Sequence, residues 1–175
     1  KNDDAKTIYN KLLGAENKAL DDLIPMINKR HIVSKDQKDE DATFYGKRSP
    51  EDGLINWENN VENINDLIRA STHPHPGAYT FHKYFKIIIL ESEIDIRPIK
   101  GVPGRILNVN MNDKSFIVQT KNGLIKVIKW KSEKWEPKVG DLLGYNIQEE
   151  IFEIKNDIFY LKDKLERLIK IYDKF

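Results

Sequence analysis

Three groups of side chains in this sequence have types and spacing that could do chemistry. His73 and His75 stand two apart in "STHPHPGAY". In an extended segment, residues two apart point to the same side, so the two imidazoles could converge on a divalent metal. Such a site needs further ligands, and none is adjacent in sequence. Pro74 and Pro76 account for the segment without an ion. Each fixes its own φ and drives its predecessor toward extended geometry, and Gly77 permits a reversal into a strand. The expectation is a stiff corner, with no metal site.

Lys47 and Arg48, in "YGKRSPEDG", form the second group. A neighbouring ammonium and guanidinium could grip a phosphate or carboxylate, the guanidinium through its fixed fork of donors. They could equally pair with Glu51, Asp52 or another surface acid, as exposed basic pairs commonly do. Ser49-Pro50-Glu51-Asp52 reads as a turn or short helical start with proline in its first position.

The third group is "KVIKWKSEKWEPK", Lys126 to Lys138, where Trp130 and Trp135 alternate with lysines. On a barrel this pattern could stack bases and hold phosphates. Glu133 and Glu136 interrupt the positive field, and from Phe81 onward basic residues only slightly outnumber acidic ones. A nucleic-acid-binding surface and a core or interface role for the indoles therefore both stand. Nucleophile, phosphate-loop and zinc-helix signatures are missing. Asp21-Asp22 and Glu149-Glu150 fall in helical or turn contexts and read as solvated faces. These residues assemble no complete catalytic site.

The elements that must position these groups follow from periodicity. Asp3 and Asp4 are candidate caps for a helix with apolar residues at Ala5, Ile8, Tyr9, Leu12, Ala19, Leu20, Leu23 and Ile27. Gly14 and Pro25 lie inside it and predict a kink or break. The stretch from Asn28 to Gly53 has no helical period and reads as an extended connector. Next, "ENNVENINDLIRAS" offers Asn59 or Asn60 as a cap and buries Val61, Ile64, Leu67 and Ile68 on one face. From Tyr79 the texture turns to short β-rich runs: "TFHKYFKIIILESEIDI", "GRILNVN", "SFIVQT" and "LIKVIKW". Asn122-Gly123, between two such runs, predicts a hairpin whose turn residues tolerate positive φ. The fold class expected is α+β: a helical connector, then a small open OB-like β-barrel of five strands, then a C-terminal helix.

That last helix has Ile151, Ile154, Ile158, Leu161, Leu165, Leu168 and Tyr172 at alternating steps of three and four. About 22 residues would span roughly 33 Å. Docking on its own barrel and self-association as a coiled coil, giving a homodimer, both fit the stripe; Ile169 and Ile171 widen it in favour of docking.

The bulk composition constrains rather than identifies. At 175 residues, 39% hydrophobic and 33% charged, the chain can bury a core. A net charge of +1 implies no polyanion partner. The absence of cysteine removes thiol catalysis and thiolate metal sites and fits a reducing compartment, so a cytoplasmic location is expected. The longest aliphatic run, Ile87–Leu90, is too short to cross a bilayer and has no leader-like flank, so no membrane partner is expected. The chain opens at Lys1 on what reads as the approach to a helix, which suggests the back part of a longer polypeptide.

The order of segments resembles the folate-dependent formyltransferase family, which includes methionyl-tRNA formyltransferase and the sugar-nucleotide N-formyltransferases. The residues that carry the resemblance are Arg48-Ser49-Pro50-Glu51-Asp52-Gly53, Ile55 and Trp57, Ile68-Arg69-Ala70, Pro74-His75-Pro76-Gly77-Ala78-Tyr79 and Pro103-Gly104-Arg105-Ile106. With the proline-containing first helix before them and the strand hairpin after them, the resemblance covers roughly Asp3 to Trp130. The resemblance implies that the Pro-His-Pro-Gly corner is the hinge into a C-terminal barrel, with His75 at an often aromatic position and therefore packed. It further implies that catalysis belongs to an Asn, a His and an Asp of a Rossmann-like N-terminal domain, the His in a His-x-Ser-x-x-Pro setting. None of His31, His73, His75 or His82 has that setting.

The resemblance accordingly implies the C-terminal portion of an enzyme that moves a formyl group from 10-formyltetrahydrofolate to the amine of a nucleotide-linked amino sugar. No catalytic and no metal-binding residue is assigned in this chain, which alone should be inactive; Lys47 and Arg48 are the substrate-binding candidates. "KRSPEDGLINW" and "THPHPGAY" look closer to the sugar-nucleotide branch, and tRNA is the alternative acceptor. The implied division is 1–30, the closing helix of an N-terminal catalytic domain not in this chain; 31–78, a connector with one helix; 79–148, the OB-like barrel; and 149–175, the C-terminal helix.

Overall fold

The structure, a computed structural model, describes residues 3–30, 32, 34–145 and 147–172. His31 and the outermost residues of the first and last expected segments lie outside the described residues. The chain divides into two units, residues 1–143 and 144–175.

The first unit opens with helix α1, Ala5–Asn28. Asp4 caps it reciprocally with Thr7: the Thr7 amide donates to Asp4 Oδ1 at 2.7 Å, and the Asp4 amide donates to Thr7 Oγ1 at 2.8 Å. The predicted break at Gly14 or Pro25 does not occur. Pro25 sits in the last turn, and its carbonyl still accepts from the Lys29 amide at 3.1 Å. A proline there forfeits one backbone bond at an end that already frays, so the helix survives it. None of its side chains is buried, and Ile8, Leu12, Leu20, Leu23 and Ile27 are all exposed.

After an extended connector with 3-10 turns at Asp39–Asp41 and Pro50–Gly53, helix α2 runs Val61–Ser71. Val61, Ile64 and Ile68 are buried and Leu67 packs beside them, as the spacing predicts. Burying each such side chain is worth about 1.5–3 kcal/mol. The cap differs from expectation. Asn60 stands at the N-cap position but its side chain makes no capping bond; the Val61 amide donates instead to Asn122 Oδ1 at 2.8 Å.

Five antiparallel strands follow: β1 Ala78–His82, β2 Phe85–Asp95, β3 Ile106–Val109, β4 Phe116–Gln119 and β5 Leu124–Lys131. Their order in the sheet is β1-β2-β5-β4-β3. Register shifts around Glu91 bend β2, so that Phe85 to Ile89 pair with β1 while Ile88 to Asp95 pair with β5. The buried face carries Ile87, Ile89, Ile106, Phe116, Val118, Ile125 and Val127, and α2 packs on it mainly through β2.

No ladder joins β1 to β3, so the sheet is open. A coil segment from Lys138 to Leu143 spans the gap. It bonds β3 through the Ile106 amide to the Asp141 carbonyl at 2.9 Å and the Gly140 amide to the Ile106 carbonyl at 2.9 Å. On its other side His82 of β1 meets the Leu142 carbonyl at 3.0 Å. A carbonyl only accepts, so His82 Nδ1 carries the proton. Both free edges of the sheet are thus covered by coil.

The Asn122-Gly123 hairpin forms where expected, with Gln119 opposite Leu124, but neither turn residue adopts positive φ. The connection is four residues long and is closed by the Thr120 amide donating to the Gly123 carbonyl at 2.8 Å. The pair is used for its contacts. Asn122 caps α2, and a Cβ on Gly123 would lie 3.1 Å from Val61 Cγ1.

The second unit carries helix α3, Ile147–Tyr172. Among the described residues no helix is long and apolar enough to cross a membrane.

Candidate substrate-binding surface

Lys47 and Arg48 lie on the exposed connector just before the Pro50–Gly53 turn. The turn engages the nearby acids. The Ser49 amide donates to Asp52 Oδ2 at 2.7 Å, and the Asp52 amide donates to the Ser49 carbonyl at 3.1 Å. A hydrogen bond from the Ser49 side chain holds the Glu51 carboxyl below the usual range. Arg48 reaches only a neutral group, donating from Nη2 to the Asp52 carbonyl at 3.3 Å. The pairing of Lys47 or Arg48 with Glu51 or Asp52 that the sequence allowed is absent among the described residues. Two adjacent cations are left exposed, without a carboxylate partner among the described residues.

What fixes this segment is a seam against the outer edge of β1. The Ile55 amide donates to the Tyr79 carbonyl at 2.8 Å, and Leu54 forms a parallel bridge with Tyr79. Trp57 is buried, and its Nε1 donates to Thr80 Oγ1 at 3.0 Å. At the seam Gly53 and Gly77 abut: a Cβ on Gly53 would come within 3.1 Å of the Gly77 carbonyl oxygen. Gly77 itself has φ +99°, and a Cβ there would fall 2.6 Å from Ile88 Cγ2. Two motifs more than twenty residues apart in sequence thus meet as one joint, which carries the basic pair on its rim.

Lys86 is a third cation near this joint that sequence reading missed. Its ammonium sits 3.9 Å from the centre of the Tyr79 ring, and the Tyr79 hydroxyl donates to the Glu51 carbonyl at 3.4 Å. No local signal marks it, because the contact depends on the pairing of β1 with β2.

The other candidates are placed differently. His73 and His75 are both exposed, so the expected packing of His75 is overturned. The corner is held by backbone instead, the His75 amide donating to the Thr72 carbonyl at 3.0 Å and the Gly77 amide to the Ser71 carbonyl at 2.8 Å. Once those bonds set the turn, nothing draws the imidazole inward. Trp135 is buried, and Trp130 packs partly buried against it and Phe116, with ring centres 5.3 Å apart for the indole pair. Their N–H groups are committed to Asp141 Oδ2 at 3.2 Å and to the Lys114 carbonyl at 2.9 Å. Indoles so engaged serve the core; they form no open platform for stacking bases.

The architecture is an open five-stranded antiparallel sheet with a connector seamed to the edge of β1. Residues 47–139 match the family described as formyl transferase, C-terminal domain, which is more than half of the chain. The chain belongs to that family.

The chain is 43% identical over 108 residues to the bifunctional polymyxin resistance protein ArnA of Wigglesworthia glossinidia brevipalpis, an overlap of 62% of this chain and 16% of that protein. It therefore spans about a sixth of that relative's length. Among solved structures, a multiply substituted variant of HypX from Aquifex aeolicus superposes with a TM-score of 0.54 at 15% identity, over 67% of this chain and 20% of HypX. HypX in complex with tetrahydrofolic acid gives 0.50 at 18%, over 63% and 19%. At these identities the likeness is one of fold.

Proposed function

We propose that this chain is the C-terminal portion of a formyltransferase that uses 10-formyltetrahydrofolate to N-formylate a nucleotide-linked amino sugar. In this reading the chain supplies the connector, the barrel and part of the grip on the acceptor. Residues 1–30 close an N-terminal catalytic domain, 31–78 connect, 79–148 form the barrel and 149–175 the last helix. The one-carbon chemistry belongs to that N-terminal domain. The exposed apolar stripe of α1 supports the division, since Ile8, Leu12 and Leu23 are dressed for a partner surface.

The observation that carries the reading is the pair Lys47 and Arg48, inside the family match and free of carboxylate partners among the described residues. Two cations beside the joint suit a diphosphate, with Arg48 as the bidentate donor. The identity to ArnA and the tetrahydrofolic acid held by HypX support the family-level chemistry. The small basic excess of the barrel and the packed tryptophans favour a nucleotide sugar over tRNA.

Two assays test this. The chain alone, given the folate donor and a nucleotide-linked amino sugar, should show no turnover; measured turnover would place the chemistry here and end the reading. In the polypeptide that carries both parts, Arg48→Ala should raise KM for the sugar nucleotide by about 10- to 100-fold, the loss of one charge-assisted contact. An unchanged KM would remove Arg48 from the site.

A further inference from the structure

Helix α3 forms its own unit, and its apolar residues keep a seven-residue repeat. With the heptad positions lettered a to g, Ile151, Ile158 and Leu165 fall at a, and Ile147, Ile154, Leu161 and Leu168 fall at d. All seven are exposed, from 47% to 67%. The helix is 26 residues long, about 39 Å. A seam of that length left in water calls for a partner surface with the same period.

We propose that α3 pairs with α3 of a second copy of this chain as a parallel, in-register, two-stranded coiled coil. The charges beside the seam choose the occupant. In such a pair, the residue at g of one helix faces the residue five positions further on, at e, of its partner. Glu150 then faces Lys155 and Asp157 faces Lys162, and the two-fold axis repeats both contacts. None of these four side chains is ion-paired within its own chain among the described residues; the ion pair along α3 is Arg167 with Asp163 at 3.0 Å, at positions c and f away from the seam.

An antiparallel pair would set e against e and g against g. Lys155 would then meet Lys162 in repulsion and only Asp157 with Lys164 would attract, so the parallel pair has the better charge match. Isoleucine at a with leucine at d, the pairing that favours two strands, holds for Ile158 with Leu161. Ile151 with Ile154 and Leu165 with Leu168 flank it, and the charges rather than the core choose the two-stranded pair. Phe152 and Phe159 fall at b and take no part in the seam.

The test uses the intact chain. Sedimentation across a range of concentrations should give a dimer. The charge reversal K155E/K162E should weaken self-association at least tenfold at low salt, and adding E150K/D157K should restore it. Because the chain has no cysteine, Ile151→Cys offers one thiol at an a position. At a concentration where that variant is dimeric, mild oxidation should link the two copies, since only a parallel, in-register pair brings the two thiols together. Circular dichroism checks that the surface variants remain folded. A monomer at all concentrations, a trimer, an affinity unmoved by K155E/K162E, or a dimer that Ile151→Cys does not link would each overturn the proposal.

Discussion

Asn122 Oδ1 accepts a hydrogen bond from the Val61 amide at 2.8 Å, so the β4–β5 hairpin caps a helix that begins 61 residues earlier. The helix borrows from the sheet what its own Asn60 does not provide. Asn122→Ala leaves that amide without its partner and should destabilise the first unit by about 1–2 kcal/mol. Urea unfolding followed by far-UV circular dichroism measures it. Asn60→Ala, read the same way, should change little.

Glycine-to-alanine substitution should change sign with position. Gly104 has φ +82°, and a Cβ there would lie 2.3 Å from the Leu143 carbonyl oxygen, the residue whose amide donates to the Gly104 carbonyl at 2.8 Å. Gly104→Ala combines left-handed strain with a backbone collision and should cost at least about 2 kcal/mol. Gly14 stands in the middle of α1 with nothing within 4 Å of its would-be Cβ. Gly14→Ala should leave the midpoint unchanged or raise it, by up to about 1 kcal/mol.

Trp57 joins connector to sheet through a buried bond to Thr80. Trp57→Phe retains most of the ring but leaves the Thr80 hydroxyl unpaired, and should cost about 1–3 kcal/mol. Thr80→Val removes the other partner. If the bond is the source of the effect, the double variant should lose less than the sum of the two single ones.

Asp95 is held below its usual carboxyl range, first by its hydrogen bond from Arg97, with Nη2 2.6 Å from Oδ2. A depressed folded-state pKa stabilises above the unfolded value of 3.8 and is lost as pH falls through the folded value. The gap in urea midpoint between wild type and Arg97→Gln should therefore be present at pH 7 and close progressively below pH 3.8. Arg97 is about half exposed, so solvent screens the pair and the gap should be small and shrink in salt.

Much of the fold was legible locally. The spacing of Val61, Ile64 and Ile68 announces the buried face of α2, and the runs from Tyr79 onward announce the strands. Gly77 was readable as a reversal because few other residues accept its φ. Lys47 and Arg48 were legible as a charged pair. Their lack of acidic partners was not, since Asp52 could have reached them as easily as it reaches the Ser49 amide. His75 illustrates the converse error: an aromatic slot in related sequences says nothing about which way this imidazole faces once the backbone has closed the turn.

The sequence alone determined the period of each element, the place of each corner and the order of motifs that identifies the family. These depend on backbone sterics and on neighbours a few residues away. Tertiary structure alone decided that Asn122 caps α2, that Gly53 lies against Gly77, that Lys86 covers Tyr79, and that residues 138–143 span the open side of the sheet. Each of those contacts joins segments between seven and about sixty residues apart. Their meeting follows from how the whole chain buries its apolar faces, which no short window of residues encodes.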